Sequence, residues 1–290
     1  MNNKSFNSVL VIGIGLIGGS ILKSLSESSF MGTSYGLDLN EDITKKAHSM
    51  GLIKNSDNSL EKIDKNCLVV LSVPILSLEE AVNLVKEKLS AEEVFFTDTL
   101  STKSKVLDYL QLNPTLTKRF VLSHPIAGSE KSGLSNSTPS LFEDKLTIIS
   151  PLELNDRNSL LRVENFWQSL GSKVYLLDPN LHDSIFSQTS HLPHVISYAL
   201  MNYLLENLKE DAFSYSGGSL EDYTRIASSD PVMWRDIMIS NKEQILIAIE
   251  GFKTSLDHIS NIIESEDSES IQNFLSQVKQ ARDNLVEEQD

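Results

Sequence analysis

Cys67 is the one cysteine in 290 residues, so no disulfide can form within the chain, and a reducing cytoplasm is the expected setting. No apolar run reaches the ~20 residues that span a bilayer. The opening MNNKSFN runs directly into a strand-like stretch, without the apolar segment of a signal peptide. A soluble protein with no membrane partner is expected. Basic residues are also short: 25 Lys and Arg face 40 Asp and Glu, for a net charge of -15. That field disfavours nucleic acid and anionic membranes as partners, and an anionic ligand would need a local basic cluster. Internal repeats and low-complexity linkers are absent as well. Hydrophobic residues at 40% and charged ones at 22% suit one large or two modest folded domains.

Against these absences stands Val9 to Ser20, VLVIGIGLIGGS. Four apolar residues without polar alternation suit a strand buried on both faces. Gly13, Gly15 and Gly18 follow as G-x-G-x-x-G, and helical spacing continues through Ile21, Leu22 and Leu25. In that pattern the first glycine makes the tight turn, the second admits a pyrophosphate to the backbone, and the third allows close helix–strand packing. The bare amides around Leu16 and Ile17 then hold phosphates at the helix N-terminus. A second short run, Ser34 to Leu37, ends in Asp38, about 20 residues on, where a ribose-binding acid is expected. Asp38 would repel a 2′-phosphate and no Arg follows it, so NAD is expected over NADP.

Further strands are expected at Cys67–Val73, Val94–Thr97, Phe120–Leu122, 146–149 and 174–177, alternating with helices near 41–50, 78–89, 102–110 and 158–170. This pattern predicts an α/β fold, a Rossmann-type doubly wound and mostly parallel sheet. Ligands of such sheets bind beyond the strands' carboxyl ends. Asp98, Ser72 with Pro74 after it, and a polar loop beginning Ser123-His124-Pro125 all fall there. From Asp178 onward strand signals stop, so residues 1–178 are expected to form the dinucleotide-binding domain and 179–290 an all-α domain. In the latter, His182 to Asn207 reads as one helix kinked or restarted at Pro193. Ile245, Ile249, Phe252, Leu256, Ile259 and Ile263 alternate four and three apart, a seam that must be buried within the domain or against a second subunit.

His124 is the candidate base: imidazole titrates near neutrality and can take a hydroxyl proton during alcohol oxidation. His191 and His194, three apart, lack the further ligand a zinc site needs. Ser101 reads by itself as a helix N-cap, Arg225 as a surface arginine and Trp234 as core. Two rival readings are open to residue chemistry. A 3-hydroxy acid dehydrogenase would want a lysine base on the helix opening the second domain, where 178–208 holds none, and a nucleotide sensor would not need His124 or Arg225.

Several blocks together carry a resemblance. Gly15-Leu16-Ile17-Gly18-Gly19-Ser20, Asp98 with Ser101 and Lys103, Ser123-His124-Pro125-Ile126-Ala127-Gly128-Ser129-Glu130, Ser190-His191-Leu192-Pro193-His194, and Thr224-Arg225-Ile226-Ala227 through Asp230-Pro231-Val232-Met233-Trp234 occur in one order across both halves. In them the chain resembles the prephenate/arogenate dehydrogenase family. The resemblance implies NAD-dependent oxidative decarboxylation in tyrosine biosynthesis, and the apolar seam from Ile245 to Ile263 predicts a homodimer joined through the C-terminal helices. The resemblance also implies His124 as base, Ser101 as its hydrogen-bonding partner, Arg225 as carboxylate binder, His194 and Ser129 at the substrate, and Glu130 at the mouth. Leu100 departs from the pattern where glycine is usual, and Thr102 where valine is common.

Overall fold

The structure, a computed structural model, describes residues 6–58, 63, 66–89, 94–128 and 131–287. Its first compact unit covers residues 1–242 and its second 243–290. The first is built on seven strands: β1 (Ser8–Ile12), β2 (Thr33–Leu37), β3 (Cys67–Leu71), β4 (Phe95–Asp98), β5 (Phe120–Pro125), β6 (Leu146–Ser150) and β7 (Lys173–Leu176). Their order across the sheet is β2-β1-β3-β4-β5-β6-β7, and every neighbouring pair is parallel except β5 with β6.

The strands β1 and β3 are almost wholly apolar because both faces are covered. Alternate residues of β1 show it. Leu10 and Ile12 join one core with Val82 and Val85, whereas Val9 and Val11 join the other with Ile21, Leu22 and Trp167. The covering helices are α1 (Leu16–Glu27), α2 (Glu41–Ser49), α3 (Leu78–Lys88), α4 (Ser104–Leu112), the one-turn α5 (Pro114–Thr117) and α6 (Arg157–Ser169). Glycines with positive φ end two of them in the manner of helix C-caps: Gly51 at +74° after α2 and Gly171 at +88° after α6.

Beyond β7 the chain is helical. It runs through α7 (Pro179–Phe186), a π-helical turn at Ser187–His191, α8 (Leu192–Asn207), α9 (Gly218–Thr224), a 3₁₀ turn at Arg225–Ser228 and α10 (Pro231–Ser240). The helix expected from His182 begins earlier, at Pro179, and its irregularity is the π turn just ahead of Pro193. Asp230 caps α10 by accepting the amides of Val232 and Met233. Helices α11 (Lys242–Glu264) and α12 (Ser268–Glu287) make up nearly all of the second unit. Within the chain the far part of the apolar seam stays exposed, with Leu256 at 47% and Ile263 at 61%.

One local expectation is corrected. Ser123-His124-Pro125 is not a loop but the last part of β5, paired antiparallel to β6 with His124 opposite Ile148 and Pro125 opposite Thr147. An antiparallel neighbour extends the ladder past the point where the parallel partner β4 stops, which the short apolar run Phe120–Leu122 does not reveal.

Candidate active site

β1 is the switch strand of the sheet, with β2 on one side and β3 on the other, and the crevice at such a point opens beyond the strand ends. The glycine turn lies there. Gly13 has φ +90°, and a Cβ on it would fall 2.2 Å from the Ser72 carbonyl oxygen. A Cβ on Gly18 would fall 2.0 Å from the Gly13 carbonyl oxygen. The protein itself demands both glycines. Gly15 differs: a Cβ there meets nothing within 4 Å. No side chain caps α1, so its first amides, around Leu16 and Ile17, are left for a ligand. Asp38, at the end of β2, accepts the Ile14 amide at 2.8 Å and the Asn40 amide at 3.0 Å. Its carboxylate is thereby tied to the turn, and Asn40, not Asp38, caps α2. An open glycine approach, uncapped amides and a fixed acid together fit a dinucleotide. Ser72 is half-buried beside Gly13, and Pro74 is exposed at the same strand end.

His124 stands at the carboxyl end of β5, 9% exposed. Its Nδ1 lies 3.0 Å from His182 Nε2, and His182 Nδ1 lies 2.8 Å from Asp183 Oδ1. Asp183 also accepts the backbone amides of Lys103 at 2.7 Å and Ser104 at 2.8 Å, the start of α4. Phe186 packs on both histidines, with ring centroids at 4.8 and 4.5 Å. Burial, reinforced by His182, Lys103 and His191, holds the His124 pKa well below the ordinary histidine value. The ring is therefore neutral at pH 7. Burial also lowers His182, and the bond to Asp183 opposes that fall. Burial alone would raise Asp183, but the donors around it, His182 foremost, leave it lowered.

Behind this row lies a buried ion pair. Lys103 Nζ donates to Asp98 Oδ1, to the Leu100 carbonyl and to the Ser123 carbonyl, so all three of its protons are placed. Asp98 in turn accepts the amides of Leu100 and Ser123. The loop from β4 to α4 is thus bolted to the strand that carries His124. Leu100, the departure from the family pattern, fills the apolar core, and Thr102 pairs with Ser240 at 2.9 Å. Ser101 lies half-buried in this loop and is not an N-cap, because α4 begins three residues later.

A second group gathers on the C-terminal helices. His194 stacks on Trp234 with centroids 3.7 Å apart, and its Nδ1 donates to the Ser190 carbonyl at 3.0 Å. Burial lowers its pKa, and Arg225 adds to that effect. Arg225 is exposed and shares the lining of an open cleft with Tyr198, Glu221 and Ser228. The buried Tyr198 hydroxyl and Trp234 Nε1 have no hydrogen-bond partner among the described residues. His191 is buried and accepts from Asn241 Nδ2 at 3.0 Å; burial carries its pKa down to about 4. Asn241 also donates to the Asp183 carbonyl, so one amide joins the two groups. His191 therefore holds the frame, as its position three residues before His194 leaves it free to do.

Of the sequence-predicted residues, the glycines, Ser72 and Asp38 meet at the switch point, His124 and Ser101 flank the ends of β4 and β5, and His194 and Arg225 share the helical side. Ser129 and Glu130 lie outside the described residues. His182, Asp183, Lys103 and Asn241 were missed as site residues. Lys103 carried one signal, a lysine five residues after an apolar strand's closing aspartate. His182 and Asp183 carried none, since their meaning depends on contacts with residues some 60 to 80 positions away.

Comparison with known proteins agrees with this layout. The family model "Prephenate dehydrogenase, nucleotide-binding domain" matches residues 21–176, beginning just past the glycine turn. "Prephenate dehydrogenase, dimerization domain" matches 178–277. Prephenate dehydrogenase of Bacillus subtilis is 30% identical over 98% of this chain and 77% of its own length. Cyclohexadienyl dehydrogenase of Zymomonas mobilis is 29% identical over 96% of this chain and 95% of its own. Among solved structures, prephenate dehydrogenase of Aquifex aeolicus in complex with hydroxyphenyl propionate and NAD+ superposes with TM-score 0.89 at 39% identity, over 97% of this chain and 99% of that one. The chain belongs to the prephenate dehydrogenase family.

Proposed function

We propose that this protein catalyses the NAD-dependent oxidative decarboxylation of prephenate to 4-hydroxyphenylpyruvate, or of arogenate to tyrosine, in tyrosine biosynthesis. The observation that carries this is a neutral, nearly buried His124 at the end of a central strand, on the crevice side of a sheet whose glycine turn fits a dinucleotide. Gly13, Gly15 and Gly18 with the amides at Leu16 and Ile17 would hold the pyrophosphate, Asp38 would take the ribose hydroxyls, and Ser72 and Pro74 would border the nicotinamide side. NAD, when bound, would supply the acceptor for a hydride from the hydroxyl-bearing ring carbon.

The chain's own part is to orient the ring and manage one proton. His124 Nε2, which has no partner among the described residues, takes the substrate hydroxyl proton as the C–O bond becomes a carbonyl. The ring carboxylate then leaves as carbon dioxide, and its bonding pair restores an aromatic ring and places charge on the oxygen. His124 returns the proton to that oxygen and is neutral again. Ser101 orients the hydroxyl, Arg225 pairs with a carboxylate through its planar fork, and His194 borders the substrate. Ser129 and Glu130 are assigned to the substrate on the family pattern.

The domain boundary near Asp178 divides cofactor binding (residues 1–178) from substrate binding and dimerisation (179–290). The working form is a homodimer in the cytoplasm. Supporting the dimer, α8 is apolar around its circumference, yet Ser197 is its only buried residue, and α11 leaves Leu256, Ile259 and Ile263 exposed. No helix among the described residues is long and apolar enough to cross a membrane. Initial rates of NADH formation with prephenate and arogenate in parallel test the activity. NADH formation with at least one of them is expected, and none with either would overturn the proposal.

A further inference from the structure

We propose that His182 and Asp183 are positioning residues that set the tautomer of His124 and support the charge it gains. The inference rests on His124 being the base, and it follows from which atom can donate to which. Asp183 Oδ1 receives Lys103 N and faces His182 Nδ1, while Oδ2 receives Ser104 N, so the carboxylate is an acceptor on both oxygens. His182 must therefore carry its proton on Nδ1 and offer the lone pair of Nε2. His124 Nδ1, 3.0 Å from that lone pair, must be the protonated nitrogen. The lone pair of His124 is left on Nε2, which has no hydrogen-bond partner among the described residues. The other tautomer would put two lone pairs face to face and leave the base blind.

The same row acts once His124 has accepted a proton. An imidazolium Nδ1–H bonds more strongly to His182 Nε2 than a neutral one does, and the Asp183 carboxylate, fixed by the two amides at the start of α4, balances the charge one ring away. The other titratable groups facing His124 do not supply this. Lys103 from the β4–α4 loop is neutralised by Asp98 at the end of β4, and His191 from the π turn turns its Nδ1 to Asn241. Phe186, packed on both rings, keeps solvent from competing for the bond.

His182→Phe keeps a flat ring in the buried slot and removes the acceptor. His182→Gln places an amide oxygen near the position of Nε2, restoring an acceptor without the link to Asp183. With the intact enzyme, His182→Phe is expected to lower kcat at least ten-fold, bounded by the roughly 10²–10⁴ of the base itself. NAD affinity and melting temperature should change little. His182→Gln should recover part of the lost rate. Nitrogen NMR of histidine-labelled protein gives a readout independent of turnover: His124 should carry its proton on Nδ1 in the wild type and lose that preference in His182→Phe. Equal kcat losses in the Phe and Gln variants, or an unaltered His124 tautomer in His182→Phe, would overturn the proposal. Failure of the underlying reading looks different. His124→Asn would then keep wild-type turnover while the NMR tautomer still depended on His182.

Discussion

His124 is a nearly buried imidazole kept neutral by its surroundings, and its chemistry follows from that. His124→Asn keeps a hydrogen-bonding side chain but cannot accept the proton, and should lower kcat by roughly 10²–10⁴. NAD affinity, measured by fluorescence titration, should hold. An unbound base must be neutral to act, so kcat/KM should fall only as pH drops through the pKa of His124. Burial sets that limb below the unperturbed value of about 6.5, and a limb centred at or above that value would contradict the environment described. In the proposed role, Arg225 pairs with a charge present in both substrate and transition state. Arg225→Ala should therefore raise KM, by roughly 10- to 150-fold for a lost charge-assisted bond, with a smaller effect on kcat. An unchanged KM would reassign it to structure.

The strand–turn–helix from β1 into α1 separates structural glycines from functional ones. Gly18→Ala would set a Cβ 2.0 Å from a backbone oxygen, so the turn must open and the protein should lose stability. At Gly15 a Cβ meets no protein atom, so Gly15→Ala should melt like the wild type yet bind NAD more weakly. Equal NAD affinity in Gly15→Ala, by calorimetric titration, would move the pyrophosphate elsewhere. At the neighbouring strand end, Asp38→Ser with Leu39→Arg should raise the use of NADP relative to NAD. A wild type that already used both equally would refute the ribose role of Asp38.

For the molecule as a whole, exposed apolar faces on α8 and α11 imply a partner surface. Phe252→Asp with Ile259→Asp should yield monomer or aggregate in light scattering, and a monomeric wild type at micromolar concentration would refute the dimer. Stability should also depend on acid. His124, His182 and His191 are all lowered by burial, His191 to about 4, so the unfolded chain binds more protons than the folded one below its own value near 6.5. Their contribution is complete above about pH 6.5 and declines as pH falls towards 4. The melting temperature at pH 5 should accordingly lie below that at pH 7.

What was legible in the chain was whatever is local. Runs such as Val9 to Ile12 announce buried strands, the glycine spacing announces a phosphate turn, and Asp38 lies at a readable offset because one βαβ unit has a standard length. His124 was legible as a residue at a strand end beside a Pro-x-Ala-Gly block. Its true setting was not, because β5 continues through it only by pairing with β6, some 25 residues further on. The row from His124 through His182 to Asp183, the burial of Lys103 against Asp98, and the stacking of His194 on Trp234 were decided by the tertiary structure. Such contacts join residues whose separation along the chain has no period, and a side chain's protonation depends on burial and partners that no spacing encodes. Local residue order thus specified the elements and the phosphate turn, whereas packing chose which nitrogen of His124 is left to act.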